Sequence, residues 1–394
     1  MKRIILLLAI VAYVQESVAQ LAKQSIQDIM NPLDTFIEKR MKEAGIVGIG
    51  AAVIIDNKVV WSKGFGYADL ENKLPFTVNT IMNIGSISKT FTGVCLMKAV
   101  EEKKLSLDED INRYLPFRVI NPYFPNEKIT LRQIATHTSG IADQYPLYDS
   151  TYYKMGDTPE PLGEFLKNYF VPGGSHYSKE NFYNNKPGTA REYSNIAAGL
   201  AGYIVELVTG KKLNEYSRQY IFKPLGMKNT GWLFSEINLA NHAKLYDKKG
   251  DTLSPVQLYG LTTYPDGGVR TTVTDLSKFF IALLSEGEYD GARILKKETV
   301  REMTRFQFTA DNKPANVNIA RLNSGIFWAT KFGGTRMGHA GSDPGVKAEM
   351  LSDLSKEVAV ILLTNTSLEE AGTLKYHFPI VDELFKYGKK LKER

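Results

Sequence analysis

The chain has 394 residues, of which 43% are hydrophobic and 23% are charged, a composition that excludes a disordered or fibrous protein. A single cysteine, Cys95, excludes an intramolecular disulfide framework, a cysteine-based zinc site and a CxxC redox pair. The formal net charge is +6, and much of it lies in the basic tail at residues 386–394. The rest of the chain is close to neutral, so we expect no nucleic-acid partner. The tail is interpreted as a solvated helix end, with weak contact to an anionic surface as the alternative.

The N-terminus carries a targeting pattern. Lys2 and Arg3 precede an apolar run at residues 4–14, and small residues follow at 17–19 before Gln20. This order predicts a signal peptide of residues 1–19 that is cleaved on export to the periplasm or the medium. The apolar run is shorter than the ~20 residues of a spanning helix, so we expect no integral membrane span in the mature chain. An uncleaved anchor or a buried N-terminal helix is the alternative.

Strand-like segments lie towards both ends of the chain. Residues 47–55 and 58–66 are rich in apolar and β-branched residues and are separated by Asp56-Asn57, which predicts a hairpin. Four further strands are predicted at residues 325–332, 336–340, 346–351 and 357–365, followed by a helix at 368–389 despite Pro379. Helical spacing is found between the two strand regions, at residues 89–103, 131–136, 196–208, 213–221 and 274–285.

This arrangement predicts the α+β fold class. An antiparallel sheet would be built from about residues 30–105 and 321–394 and flanked by helices, with a mostly helical insert at about 106–320. No linker of low complexity divides the chain, so we expect a single catalytic domain at residues 20–394.

The first motif that could carry chemistry is Gly85-Ser86-Ile87-Ser88-Lys89, at a transition from loop to helix. Residues three apart share a helix face, so Lys89 should lie beside Ser86. Free N–H groups and the helix dipole favour negative charge at that point, and a desolvated Lys89 could be neutral enough to accept a proton. By itself the pattern is equally explained by Ser86 acting as an N-cap.

Two further motifs follow in the chain. Tyr193-Ser194-Asn195 precedes an apolar helix, where Tyr193 could act as a base and Asn195 could orient a carbonyl group and Lys89. The alternative is that Asn195 caps the helix while Tyr193 packs in the core. His339-Ala340-Gly341 lies on a predicted strand, where Gly341 would let a substrate backbone approach. Its alternative is a structural histidine at a strand end.

In this order, the three motifs resemble the signature of the serine β-lactamase and penicillin-binding-protein superfamily, namely Ser-x-x-Lys, Tyr-x-Asn and His-x-Gly. The Tyr-x-Asn form is typical of the class C branch, which includes DD-carboxypeptidases, D-aminopeptidases and β-lactamase-like esterases. Residues 136–140, 224–227 and 266–271 look like recurring loops of this family, and the resemblance covers about residues 30–385. It implies the β-lactamase/DD-peptidase fold.

The resemblance also implies roles for single residues. Ser86 would be the nucleophile that is acylated, Lys89 and Tyr193 the pair that transfers protons, and Asn195 a positioning residue. The backbone N–H groups of Ser86 and Ser342 would form the oxyanion hole, with Gly341 beside them in the substrate-binding strand. His137 is expected to be structural.

The third motif departs from the β-lactamase pattern. Where β-lactamases present Lys and Thr, this chain has His339 and Ala340. A bound carboxylate would lose charge-assisted hydrogen bonds of about 1.5–3 kcal/mol each, which predicts poor β-lactamase activity. Because His339 would replace a permanent cation, activity is expected to follow a group that titrates near pH 6–7.

The predicted function is therefore an exported serine hydrolase that forms an acyl-enzyme on Ser86 and cleaves an ester or a D-amino-acid-type amide. A penicillin-binding DD-carboxypeptidase or a weak class C-like β-lactamase is the alternative, followed by a non-catalytic binding module. No metal or cofactor is implied, because metal-ligand and nucleotide-binding spacings are missing from the sequence. The expected partner is a small-molecule or peptide substrate, and the aromatic segment 144–187 is predicted to lie over the site. The oligomeric state has no signature in the sequence.

Overall fold

The computed structural model describes residues 26–154 and 156–394; the predicted signal peptide lies outside this part of the chain. The strands in chain order are β1 Gly48–Ile55, β2 Lys58–Asp69, β3 Leu74–Pro75, β4 Met82–Asn83, β5 Tyr152–Tyr153, β6 Leu245–Lys249, β7 Thr252–Val256, β8 Gly260–Leu261, β9 Arg270–Thr271, β10 Glu288–Tyr289, β11 Ala292–Arg293, β12 Ala329–Lys331, β13 Arg336–Asp343, β14 Val346–Asp353, β15 Val358–Thr364 and β16 Thr366–Leu368. The helices are α1 at residues 26–44, α2 Ser88–Glu101, α3 Leu131–Ala135, α4 Leu162–Phe170, α5 Asn195–Thr209, α6 Leu213–Ser217, α7 Val273–Leu284, α8 Lys297–Thr304, α9 Glu370–Gly372 and α10 Phe378–Lys392.

The main sheet has seven antiparallel strands in the order β12-β13-β14-β15-β1-β2-β3. The first hairpin closes at Asp56 and Asn57, whose φ angles of 48° and 64° are those of a two-residue turn that matches the strand twist. Strand β15 then pairs with β1 and joins the two ends of the chain in one sheet. The predicted sheet of N- and C-terminal segments is confirmed.

Hydrophobic clusters cover both faces of this sheet. All eight residues of β1 are buried, because Ala52 and Ile54 pack on the helical region while Ala51 and Val53 pack on α1 and α10. A strand that is covered on both faces is apolar throughout, which explains the uninterrupted sequence of β1. The hydrophobic cluster on the side of the helical region, which includes Ala52 and Ile54, also surrounds α2, and the residues of α2 are buried on nearly every side. Helix α2 is therefore a rigid central element of the fold.

The α+β class predicted from the sequence is confirmed, with differences in single elements. Residues 325–328 are not a strand, because Ile326 and Phe327 donate their N–H groups to Met303 and Ala135 in the helical region. Pro379 lies at the second residue of α10, directly after a π-helical turn at Thr373–His377, so the proline falls where the regular i to i−4 hydrogen-bond pattern is already interrupted. Helices α1, α4 and α8 are additional elements that the sequence analysis did not predict. The limits of the single domain at residues 20–394 stay a prediction.

Across residues 26–154 and 156–394, no helix has the length and apolar character required to cross a bilayer.

Candidate active site

Ser86 lies on a single 3₁₀ turn, Gly85–Ile87, that leads directly into α2. Gly85 has φ +50°, a conformation that a residue with a Cβ rarely adopts, and it starts the sharp entry into the helix. Ser86 is partly exposed and lines a cavity of about 590 Å³. The serine is thus presented to solvent from a rigid helix start, as the sequence predicts.

Lys89 is fully buried one turn further along α2. Its Nζ donates to Ser86 Oγ at 3.0 Å, to Asn195 Oδ1 at 2.7 Å and to the carbonyl oxygen of Asp266 at 2.8 Å. Burial alone would lower the pKa of Lys89, but the adjacent Tyr193 and the Asp266 carboxylate outweigh it and raise this pKa. The expectation that Lys89 alone is neutral enough to take a proton is therefore wrong, because its surroundings favour the ammonium form.

The second motif lies at the start of α5, which brings it to the same cavity. Ser194 is the N-cap and accepts from Ala197 N at 3.0 Å, so the Asn195 side chain is left for Lys89. Tyr193 is 38% exposed and lines the cavity, with its ring centroid 5.1 Å from Lys89 Nζ. Neither the capping role of Asn195 nor the burial of Tyr193 in the core is observed.

Two residues that were not predicted as catalytic hold this motif in place. The carboxylate of Asp143 accepts from Ser194 Oγ, Asn195 N and Ile196 N at 2.7, 2.8 and 3.0 Å. The ring of His137 packs on the ring of Tyr193 at a centroid distance of 4.1 Å. Burial depresses the pKa of His137 well below its usual range, so it acts as a neutral packing group, in agreement with its predicted structural role.

The third motif lies on β13 beside the serine turn. Strand β12 covers one edge of β13 only as far as Gly338, so on that edge residues 339–343 face the Ser86 segment, while β14 pairs with their other edge. A Cβ placed on Gly85 would be 3.1 Å from Ser342 N, and one on Gly341 would be 2.0 Å from the carbonyl oxygen of Ile84. The backbone N–H of Ser342 is thus adjacent to the turn that carries Ser86. Gly341 is required by the close packing of two protein segments as well as by the space left for a substrate.

His339 lines the cavity, but its electrostatics differ from the prediction. Burial, with Lys331 and Lys89 nearby, lowers the pKa of His339 well below its usual range, and its Nδ1–H donates to Ala340 O at 2.7 Å. His339 is therefore neutral at physiological pH, and the expectation that it titrates near pH 6–7 is wrong. A neutral imidazole beside Ala340 supplies no cation to this part of the site.

Two buried carboxyl groups titrate in that range instead. Burial, which Lys89 only partly offsets, raises the pKa of Asp266 to about 7, and burial raises that of Asp343 to about 6. Each accepts a hydrogen bond from a tyrosine, Asp266 from Tyr148 at 3.0 Å and Asp343 from Tyr152 at 2.8 Å. Sequence analysis placed Asp266 in a recurring family loop and assigned it no function. Only the structure shows that Asp266 contacts Lys89 and raises the pKa of this lysine.

The aromatic segment predicted over the site has two parts. Tyr145, Tyr148 and Tyr152 line the cavity, as expected for a loop that covers a site. The later part contains α4, whose Phe165 and Tyr169 are buried in the core. Only the first part of this segment therefore contributes to the cavity wall.

Comparison of the sequence with known proteins identifies one family. The Beta-lactamase family profile matches residues 33–377. Protein flp of Staphylococcus aureus strain MW2 is 28% identical over 256 residues, 63% of this chain and 48% of that protein. The chain thus spans about half the length of the curated relatives it matches.

Solved structures share the fold. The octameric penicillin-binding protein homologue from Pyrococcus abyssi is 28% identical, with a TM-score of 0.68 over 86% of this chain and 74% of that chain. The D-amino acid amidase from Ochrobactrum anthropi SV3, complexed with L-phenylalanine amide, is 23% identical, with a TM-score of 0.71 over 93% and 99%. Because the family profile covers residues 33–377, the chain belongs to the Beta-lactamase family of serine hydrolases.

Proposed function

We propose that this protein forms an acyl-enzyme on Ser86 and cleaves an ester or a D-amino-acid-type amide bond. The observation that carries the proposal is the 3.0 Å hydrogen bond from Lys89 Nζ to Ser86 Oγ, in a cavity that Tyr193 and Ser342 also line. A serine hydroxyl is a weak nucleophile unless a neighbouring group takes its proton, and this contact places Ser86 Oγ beside the Lys89–Tyr193 pair that would take it.

In the first step, the Ser86 Oγ attacks the carbonyl carbon of the substrate and its proton passes to the Lys89–Tyr193 pair. This pair acts as the base when one of its two groups, the Lys89 amine or the Tyr193 hydroxyl, has lost its proton. The carbonyl oxygen becomes an anion that accepts from the N–H groups of Ser86 and Ser342. As the tetrahedral intermediate collapses, the bond to the leaving group breaks and the pair returns the proton to it.

In the second step, water attacks the acyl carbon, and the same pair takes one proton from it. The bond to Ser86 Oγ breaks, Ser86 recovers its proton, and the acid product leaves. Asn195 orients Lys89 throughout, because its Oδ1 accepts from Nζ at 2.7 Å. His339, being neutral, contributes shape and no charge.

The test is a pre-steady-state experiment with 4-nitrophenyl acetate. We expect a burst of nitrophenol and a mass increase of one acetyl group on the intact protein, both lost in Ser86→Ala. Ser355→Ala is the matched control, because Ser355 is exposed on a turn between β14 and β15. Acetylation that persists in Ser86→Ala, or that is absent from the wild type, contradicts the proposal.

A penicillin-binding DD-carboxypeptidase is the second candidate, favoured by the similarity to the penicillin-binding protein homologue. Incubation with a penicillin separates the possibilities. A stable adduct that Ser86→Ala abolishes supports this candidate, and hydrolysed drug with unmodified protein supports a β-lactamase. Intact drug with unmodified protein supports the esterase or D-amino-acid amidase function.

We further propose that the protein is exported and that its mature chain begins at Gln20. The basis is the N-terminal pattern of two cations, an apolar run and small residues. N-terminal sequencing of the protein recovered from its producing cells tests this. Recovery of the intact N-terminus in the cytoplasmic fraction contradicts it.

A further inference from the structure

Asp266 is a buried residue beside Lys89 to which the proposed reaction assigns no step. It is 1% exposed and ends the 3₁₀ turn Tyr264–Asp266. Its backbone carbonyl oxygen accepts from Lys89 Nζ at 2.8 Å, and its side-chain Oδ1 accepts from the hydroxyl of Tyr148 at 3.0 Å. Asp266 therefore contacts Lys89 through a backbone group that every substitution keeps, and carries beside it a carboxyl group that a substitution can remove.

The turn that carries Asp266 is fixed on α2. On one side of Asp266 in the chain, Thr92 Oγ1 donates to Pro265 O at 2.6 Å. On the other side, Val269 N donates to Ser88 Oγ at 2.9 Å. Together with the contact from Lys89, these bonds hold the turn on the same helix that presents the nucleophile, so the distance between the Asp266 carboxyl group and Lys89 is set by the fold.

Several titratable groups from other segments surround the Asp266 carboxyl group. They are Lys89 on α2, Asp143 and Tyr148 between α3 and α4, and Asp343 on β13. Lys89 is the cation of this group and the others are acids. Helix α5 also packs on the turn, but its Glu206 accepts from Tyr264 at the other end of the turn. Burial raises the pKa of Asp266 to about 7, although Lys89 opposes this, so the carboxylate is the main form above that pH.

The carboxylate acts on the proton-transfer pair through its charge. Burial alone would lower the pKa of Lys89, but Tyr193 and then Asp266 raise it, and Asp343 does so to a smaller extent. Loss of one proton takes the Lys89–Tyr193 pair from a charge of +1 to zero. A neighbouring anion stabilises the positive form and so opposes this loss, whichever of the two groups gives up the proton.

We propose that Asp266 is a positioning residue that sets the pH range of the Ser86 reaction, with its carbonyl oxygen orienting Lys89 and its carboxylate holding the Lys89–Tyr193 pair in the protonated form. This inference rests on the proposed function of Ser86. The path of the proton is unchanged, because the proton of Ser86 passes to the pair and from the pair to the leaving group. Asp266 exchanges no proton with the substrate and acts only through Lys89 and Tyr193.

The experiment is the pH dependence of kcat/KM for 4-nitrophenyl acetate, corrected for spontaneous hydrolysis, in the wild type and Asp266→Asn. The variant keeps the carbonyl oxygen that contacts Lys89 and an acceptor for Tyr148, but it removes the charge. We expect the rising limb of the wild-type profile to have its midpoint above pH 7, and that of Asp266→Asn to lie about 1 pH unit or more lower. Below both midpoints, such a shift corresponds to a ~10-fold larger fraction of the pair in its basic form.

Asp275→Asn is the matched control. Asp275 is also a buried aspartate beside a lysine, with its Oδ1 2.8 Å from Lys278 Nζ, but it lies on α7 away from the cavity. We expect its profile to have the wild-type midpoint. Thermal unfolding of each variant confirms that the compared proteins are folded.

A second measurement follows Lys89 without catalysis. Carbon-13 NMR of lysine-labelled protein gives the titration of Lys89 Cε, whose signal is identified by its absence from Lys89→Met. We expect this signal to titrate above the ordinary lysine pKa of ~10.4 in the wild type and at lower pH in Asp266→Asn. If Asp266→Asn does not fold, a wild-type Lys89 signal that titrates below the ordinary value refutes the inference by itself.

The outcomes separate this inference from the function on which it rests. If the wild type and Asp266→Asn share one midpoint, the role of Asp266 is refuted and the proposed function stands. If kcat/KM falls by the same factor at every pH, Asp266 only supports its turn and the inference is again refuted. If Ser86 is not acetylated in the wild type, the proposed function fails, and a Lys89 signal that titrates at the same pH in both proteins then refutes the effect of Asp266 as well.

Discussion

Removal of the Asp143 carboxylate should affect both the stability of the fold and the candidate active site. It lies 51 to 53 residues before its three partners, and its carboxylate joins the segment after α3 to the first turn of α5. Oδ1 accepts from Ser194 Oγ and Ile196 N, and Oδ2 accepts from Asn195 N. In Asp143→Ala all three donors lose their acceptor, and in Asp143→Asn the amide nitrogen faces the N–H of Asn195.

The size of the effect follows from these contacts. Asp143 is partly exposed, so water can replace part of each bond and about 1 kcal/mol for each of the three is appropriate. A carboxylate at a helix N-terminus adds about 0.3–1 kcal/mol. We expect Asp143→Ala to lower the free energy of unfolding by about 3–4 kcal/mol. Asp143→Asn should lose about 1–2 kcal/mol, because it keeps the acceptor for two of the donors.

Urea titration followed by circular dichroism measures this loss, with Asp311→Asn as the control because Asp311 is exposed. The same variants should lower kcat/KM for 4-nitrophenyl acetate, since Asn195 and Tyr193 share the turn that Asp143 holds. If Asp143→Ala lies within about 0.5 kcal/mol of the Asp311→Asn control, the capping argument is refuted.

Three further outcomes are expected. Gly341→Ala should lower both the thermal midpoint and the acetylation rate of the protein, because its Cβ would lie 2.0 Å from Ile84 O and force β13 away from the serine turn; wild-type acetylation would contradict this. Burial lowers the pKa of His242 to about 3, so below its unfolded pKa of ~6.5 only the unfolded chain takes up this proton. Stability that is present above that pKa is therefore lost as the pH falls, and between pH 7 and pH 5 the wild type should lose about 2 kcal/mol more than His242→Gln. Equal pH slopes in urea titrations of the two proteins would count against the effect. The double variant His339→Lys with Ala340→Thr should raise β-lactam turnover, because it restores two donors for a carboxylate, and an unchanged hydrolysis rate would refute that explanation.

The spacing of residues along the chain was enough to predict some local features of this protein. Asp56 and Asn57 predict the first hairpin because a two-residue turn needs residues that tolerate positive φ, and both have it. Ser86 and Lys89 are three residues apart at a helix start, and that geometry alone brings Lys89 Nζ to 3.0 Å from Ser86 Oγ. The pairing of N- and C-terminal strands in one sheet followed from the strand patterns at both ends of the chain.

The order of the three motifs identified the family, and with it the meeting of Lys89 and Asn195 across 106 residues. No local pattern in the sequence connects Asp143 with α5. Residues 325–328 likewise look like a strand by composition, but their backbone N–H groups find partners in the helical region. Such contacts depend on which distant segments share a surface, and spacing along the chain does not contain that information.

The sequence by itself therefore determined the fold class and predicted the candidate nucleophile and the residues around it. Only the tertiary structure decided their charges. Tyr193 and Asp266, from distant segments, raise the pKa of Lys89, and burial with Lys331 and Lys89 nearby lowers the pKa of His339. The sequence shows which side chains can ionise. Their charge also depends on burial from water and on the distances to other groups, and both of these are set only when the chain folds.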